Sequence, residues 1–149
     1  MAFGTNKNIA PVLLGMALVL AALFALASCS PKIPPGSTTY ELESIDPNTV
    51  GVSLDSISNF YISLDASDNT YVAQFKARGM PIFVTEEGTY EIKGTSITFS
   101  KNEGSEALIA EGLSYNSGND TLTVACLKRN STDTYTAVFK RNDDLVQAE

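Results

Sequence analysis

Apolar and polar side chains alternate with a period of two along most of the chain after residue 40. Because successive side chains of a strand point to opposite faces, this alternation predicts strands with one buried and one wet face. The apolar positions carry many aromatic and β-branched residues, and threonine is frequent between them, as is typical of a pleated surface. The alternating segments are residues 60–65, 71–76, 89–93, 96–100, 121–126 and 134–140.

Short turn signals rich in Gly, Asn and Asp separate these segments. Lys93-Gly94 is the tightest of them and predicts a two-residue hairpin, because Gly supplies the positive φ that such a turn needs. Short strands joined by short turns predict an all-β fold, here a small antiparallel meander barrel of about eight strands. The turn signals lie at residues 65–69, 78–79, 86–88, 93–94, 102–104, 116–120 and 129–131.

Residues 46–58 fit neither a strand nor a helix cleanly. Asp46 and Pro47 suit the start of one short helical turn. Residues 50–54, however, alternate like a strand. The pattern leaves the structure of this segment open.

The first 28 residues have the pattern of an export signal. Lys7 provides a weakly basic start, residues 9–27 contain no charge, and the small residues Ala27 and Ser28 end the apolar run. A basic start, an apolar centre and a small-residue cleavage site are the parts of a signal peptide. Residues 9–27 number 19, so a retained membrane helix is the alternative interpretation.

Residues 26–29, Leu-Ala-Ser-Cys, resemble the lipobox of bacterial lipoproteins. The resemblance implies cleavage between Ser28 and Cys29 and a diacylglyceryl group on the Cys29 sulfur. It also implies an exported protein that is lipid-anchored to the bacterial cell membrane or outer membrane. Two acyl chains hold a protein at a bilayer stably, so the anchor needs no basic patch.

The chain divides into four predicted parts. Residues 1–28 are the signal peptide, and residues 29–39 are the lipidated cysteine with a Pro-rich tether. Residues 40–141 are the β-barrel, and residues 142–149 are an acidic, flexible tail.

Composition argues against several functions. The net charge is −7, so the basic face that nucleic-acid binding needs is not expected. The chain has no His, which removes His-based triads, zinc-protease motifs and imidazole bases. We therefore predict no enzymatic activity, no cofactor and no metal site, with a carboxylate-only enzyme as the remaining alternative.

Two further features have structural interpretations. Cys126 shares the apolar face of its predicted strand with Leu122 and Val124, so we expect a buried, inert thiol of raised pKa.

Asp65 and Asp68 invite a calcium interpretation, but they lack the spacing of an EF-hand loop. A turn with solvated carboxylates is the favoured interpretation.

The order of strands and turns from residue 40 to residue 141 resembles the lipocalin-like domains of small bacterial lipoproteins. The strongest match is Gly88-Thr89-Tyr90, followed by Lys93-Gly94 and the strand Ile97-Thr98-Phe99. The resemblance implies a barrel with an interior cavity and no chemistry. The chain departs from true lipocalins because it has no Trp, and so lacks their first-strand Gly-x-Trp signature.

Two functions follow, and they differ in whether the barrel is hollow. One is a carrier of a small apolar or amphipathic ligand, and the other is an interaction module whose filled barrel presents loops to another envelope or host protein. Phe139 is expected to point inward with the ring-bearing ligand candidates, and together these rings could fill so small a barrel. The candidate ligand-binding residues are Phe60, Tyr71, Phe75, Tyr90, Phe99, Glu111 and Tyr135.

Glu111 breaks the apolar pattern of its segment. If Ile109, Leu113 and Tyr115 share the inner face, Glu111 lies on that face as well. A buried carboxylate needs a partner, and it could hold a polar group of a ligand. The favoured alternative is a β-bulge at Gly112 that turns Glu111 outward.

Overall fold

A computed structural model describes residues 36–145. The predicted signal peptide, the lipobox with Ser28 and Cys29, and most of the tether lie outside the described residues, as do residues 146–149. Everything that is described belongs to one compact unit, Lys32–Glu149.

Antiparallel strands form almost the whole of the described chain. Each strand pairs with its neighbour in sequence, except that β5 and β6 share no ladder. Two short 3-10 turns, Leu54–Ser56 and Asp143–Leu145, complete the set. The strands are β1 (Thr38–Ile45), β2 (Ile57–Asp65), β3 (Thr70–Ala77), β4 (Val84–Lys93), β5 (Ser96–Lys101), β6 (Ile109–Asn116), β7 (Thr121–Leu127) and β8 (Thr134–Arg141).

The sheet curls into a nearly closed barrel. The first strand pairs with the last, Tyr40 with Arg141, so the order around the sheet is β5-β4-β3-β2-β1-β8-β7-β6. The two edge strands then meet at a seam, where the Tyr115 N–H donates to the Thr95 carbonyl at 2.8 Å. The predicted all-β meander barrel of eight strands is confirmed, and its shape is compatible with a lipocalin-like fold.

The two ends of the barrel differ. We call the end with the tight turns the closed end. The first described residues join the barrel at this end, since Thr38 pairs with Leu64 beside the β2–β3 turn. The Lys93-Gly94 hairpin lies at this end as predicted, with Gly94 at φ 62° and Lys93 paired with Ser96. We call the opposite end the open end. The closed end comprises turns 66–69, 94–95 and 117–120, and the open end comprises loops 46–56, 78–83, 102–108 and 128–133.

Aromatic rings fill the closed-end half of the interior. Tyr71 and Phe99 pack edge to face with ring centroids 4.8 Å apart, and Phe60 meets Phe139 in the same way at 4.9 Å. Such offset contacts add to the free energy already gained by burying the rings. The alternating pattern therefore identified the buried face correctly over most of the strands.

One predicted turn is wrong. Residues 86–88, Glu-Glu-Gly, lie in the middle of β4, which runs unbroken as Val84–Lys93. Glu86 faces inward opposite Ala73, and Gly88 faces inward opposite Tyr71. A Cβ on Gly88 would lie 2.1 Å from the Ser100 carbonyl oxygen. The glycine therefore serves close packing inside the barrel rather than a change of direction.

Residues 46–58, whose structure the pattern left open, contain the whole β1–β2 loop and the first two residues of β2. The loop starts with a turn in which Asp46 Oδ1 accepts the Asn48 N–H at 2.9 Å. Neither a helix at Pro47 nor a strand over 50–54 forms, and only the 3-10 turn Leu54–Ser56 precedes β2.

The barrel begins slightly earlier along the chain than predicted. β1 begins at Thr38, inside the segment assigned to the tether, and β8 ends at Arg141. The segment predicted as a flexible tail starts with Asn142, whose N–H donates to the Thr39 carbonyl at 2.9 Å. It continues with the 3-10 turn Asp143–Leu145.

Candidate functional site

A cavity of about 880 Å³ occupies the open end of the barrel. Pockets that bind small molecules have volumes of roughly 300–1,000 Å³. Its mouth is formed by loops 46–56, 102–108 and 128–133. Its apolar wall includes Ile57, Phe60, Phe75, Val84, Leu108 and Tyr135.

Phe60 forms the floor of this cavity. Its ring lines the cavity and packs edge to face on Phe75 at 5.4 Å and on Phe139 at 4.9 Å. Phe139 is fully buried below it and does not line the cavity. The barrel is thus packed at its closed end and hollow at its open end.

The predicted ligand residues fall into two groups. Phe60, Phe75 and Tyr135 line the cavity. Tyr71 and Phe99 pack on each other below the floor. Tyr90 is paired with Phe99 on β5 and its N–H donates to the Asn69 carbonyl at 2.9 Å, so it belongs to the closed end.

Glu111 is exposed, so it lies outside the interior. The β6–β7 register is irregular between Ile109 and Glu111 and again between Gly112 and Ser114. This agrees with the favoured interpretation, an irregularity near Gly112 that turns Glu111 outward.

The interior carboxylate belongs instead to Glu86, which sequence reasoning missed. Glu86 is fully buried, and its Oε1 accepts the Tyr71 hydroxyl at 2.5 Å. Its Oε2 accepts the N–H groups of Leu108, in a short contact, and of Ile109 at 2.9 Å. Alternation around Tyr90 extended back along the chain would have placed Glu86 on the inner face. The turn-like Glu-Glu-Gly composition concealed it.

Tyr135 and Cys126 form a buried pair beside the cavity. Burial raises the pKa of the Cys126 thiol well above its ordinary 9.0, and the Tyr135 hydroxyl is its hydrogen-bonding partner. Burial likewise raises the pKa of Tyr135. A thiol held protonated is a poor nucleophile, so the predicted inert Cys126 is confirmed as a buried thiol of raised pKa.

Charged side chains gather at the mouth. Lys128 and Arg129 line it together with Glu106 and Asp133. Lys128 is half-buried and the other three are exposed. Within residues 36–145, none of these four forms an ion pair.

The two carboxylates of the β2–β3 turn serve that turn. Asp65 Oδ1 accepts the N–H of Ser67 at 2.9 Å and its hydroxyl at 2.6 Å, and these bonds lower the pKa of Asp65. Asp68 Oδ1 accepts both groups of Thr70 in the same manner. Over the described part of the chain, no three His, Cys, Asp or Glu side chains are grouped closely enough to hold a metal ion.

Comparison with protein-family models, with curated proteins and with solved structures finds no match to this chain. Among the residues that the structure describes, no helix is long and apolar enough to cross a membrane.

Proposed function

We propose that this chain is an exported, lipid-anchored bacterial lipoprotein whose barrel binds a small apolar or amphipathic ligand without acting as an enzyme. The observation that carries the proposal is the open-end cavity of about 880 Å³, walled by Phe60, Phe75 and Tyr135. A concave site that combines an apolar wall with polar groups is the usual form of a small-molecule site. The lipobox at residues 26–29 supports the anchor.

The position of the cavity supports this proposal. The first described residue, Gly36, joins the barrel at the closed end, through β1, which begins at Thr38. The cavity opens at the other end. Residue 36 therefore lies at the end of the barrel opposite the mouth of the cavity.

Ligand binding is tested with the neutral dye Nile red and a variant that fills the cavity. All eight strands and the buried core lie within the compact unit Lys32–Glu149, so a soluble chain of residues 32–149 carries the complete barrel. Ala77 lines the cavity, and we expect Ala77→Trp to weaken dye binding at least tenfold by occupying the space.

The matched control is Ala110→Trp, at an exposed position of β6, which should bind Nile red like the original chain. Because the chain has no Trp of its own, both variants also carry a single fluorescent reporter. Equal dye binding by both variants, or no binding by the original chain, would contradict a ligand site in this cavity.

The anchor is tested by mass spectrometry of the protein from membrane fractions. We expect a mature chain that starts at a diacylated Cys29, since residues 26–29 match the lipobox. A membrane-bound chain that still starts at Met1 would support the retained helix instead.

An interaction module is the second candidate. Its support is the ring-filled closed-end half together with exposed apolar side chains on the open-end loops. Val50 is 81% exposed, and Leu54 and Ile82 are exposed as well. A purified barrel that binds no apolar dye and carries no co-purifying ligand in native mass spectrometry would favour this candidate.

A further inference from the structure

The wall of the cavity contains one half-buried cation, Lys128. Lys128 follows β7 and lines the open-end cavity. It also lines a second cavity of about 320 Å³, next to Asp46 and Thr49. Its ammonium therefore lies where the apolar wall ends and the polar mouth begins.

Among the described residues, the ammonium of Lys128 is bonded only to a neutral group. Nζ donates to the Val50 carbonyl at 2.9 Å, and no carboxylate of the described chain lies within ion-pair distance of it. An ammonium has three donors, so two remain for another partner.

Arg129, the neighbouring cation, also has no carboxylate partner within residues 36–145. The Arg129 guanidinium contacts the Met80 sulfur at 3.3 Å and lies at the same mouth. The acidic groups of the mouth, Glu106 and Asp133, are more exposed than Lys128. Lys128 is the less exposed residue of the two cations at the mouth and lines both cavities, so it is the candidate site for a bound head group.

We propose that the ligand of the open-end cavity is a single-chain amphipathic anion whose head group binds Lys128. This inference rests on the proposed ligand-binding function. The alkyl chain lies against Phe60, Phe75 and Leu108, which form the apolar wall. The carboxylate or other anionic head accepts hydrogen bonds from Nζ at the mouth, and Arg129 adds a second positive charge.

The geometry also connects the ligand to a loop. The Lys128–Val50 bond joins the β7–β8 loop to the β1–β2 loop, 78 residues apart in sequence. Gly51, beside Val50, has φ +81° and an open space around its Cα. An anion that accepts a hydrogen bond from the same ammonium as the Val50 carbonyl would thus couple the position of the β1–β2 loop to ligand binding.

The test uses residues 32–149 with bound Nile red, displaced by three probes of equal chain length. Dodecanoate is the anion, 1-dodecanol is neutral and dodecylamine is the cation, each kept below its aggregation concentration. A hydrogen bond to a charged group is worth roughly 1.5–3 kcal/mol, so dodecanoate should bind about tenfold or more tightly than dodecanol. Raising the salt concentration should reduce this preference.

Lys128→Met should remove the preference for dodecanoate over dodecanol. The matched control is Lys93→Met, which removes the same charge at the closed end, where Lys93 is exposed and bonded to Glu91. This control should keep the preference. Thermal melts of both variants check that the barrel is intact.

The outcomes separate this inference from the proposed function. Equal affinities for dodecanoate and dodecanol, a preference for dodecylamine, or a preference for dodecanoate that survives in Lys128→Met would each overturn an anionic head group bound at Lys128 and leave the ligand site standing. If Lys128→Met does not fold, the salt dependence of the original chain decides. Failure of every probe to displace Nile red, or failure of the dye to bind, contradicts the proposed function itself.

Discussion

Glu86 is the residue whose environment departs most from expectation. It is a fully buried carboxylate with no Lys or Arg at ion-pair distance among residues 36–145. Three donors, from Tyr71, Leu108 and Ile109, satisfy it instead. Because the last two are backbone N–H groups of the residue before β6 and of its first residue, Glu86 joins β4 to the strand on the other side of the seam.

Replacing Glu86 with Ala should destabilise the barrel by about 3 kcal/mol or more, since it leaves buried N–H groups without acceptors. Glu86→Gln should cost less, because the amide keeps one acceptor oxygen. Chemical denaturation of residues 32–149 measures both. Glu87→Ala is the matched control, because Glu87 is exposed on the opposite face of β4 and should change stability by no more than about 0.5 kcal/mol. Equal stabilities of Glu86→Ala and Glu87→Ala would refute this role.

At the scale of elements, glycines determine how closely the edge strands approach their neighbours. A Cβ on Gly88 of β4 would lie 2.1 Å from the Ser100 oxygen and 2.7 Å from the Tyr71 ring. On β6, a Cβ at Gly112 would lie 2.3 Å from the Ile97 oxygen. The seam between β5 and β6 therefore closes through backbone proximity although these strands share no ladder.

We expect Gly88→Ala to lower the free energy of unfolding by about 2 kcal/mol or more, because the added methyl overlaps backbone that cannot move independently. Gly118→Ala is the control. It lies in the β6–β7 turn, where an added Cβ would meet only the Asn116 side-chain oxygen at 3.3 Å. Thermal and urea unfolding compare the two, and similar losses for both would show that the close approach at Gly88 is not limiting.

Across the whole barrel, several buried Tyr and Cys side chains hold their protons more tightly than exposed ones would. Burial is the main cause that raises the pKa values of Tyr40, Tyr71 and Tyr135 above the ordinary 10.0, and of Cys126 above 9.0. The folded state holds these protons more tightly than the unfolded chain. Their contribution to stability is therefore complete below pH 9 and is lost as pH rises through and beyond these ordinary values.

The barrel should accordingly lose stability steeply above about pH 10, by about 1.4 kcal/mol per pH unit for each group that stays protonated only when folded. Melting temperatures measured from neutral to strongly alkaline pH test this. Tyrosinate absorbance should show the buried phenols ionising together with unfolding. Stability that stays constant from pH 9 to pH 11, or early ionisation of all six tyrosines in the folded state, would contradict it.

Local pattern was enough for the strands, the tight hairpin and the buried Cys126. Each depends on side chains close in sequence: alternation sets the faces of a strand, and Gly94 permits its turn. Part of the cavity lining followed too, since Phe60, Phe75 and Tyr135 were expected to point inward and do line the cavity. The turn at residues 86–88 was predicted wrongly because its polar composition matches a turn and its partners are distant in sequence.

The amino-acid pattern alone was sufficient for the all-β meander and for the buried face of most strands, and residues 26–29 are the basis of the proposed anchor. The packed closed end, the hollow open end and the identity of Glu86 rather than Glu111 as the interior carboxylate emerged only from the three-dimensional contacts. Alternation tells which side chains point inward. How much of the interior they fill depends on contacts between strands far apart in sequence, such as Phe60 with Phe139 and Glu86 with Leu108.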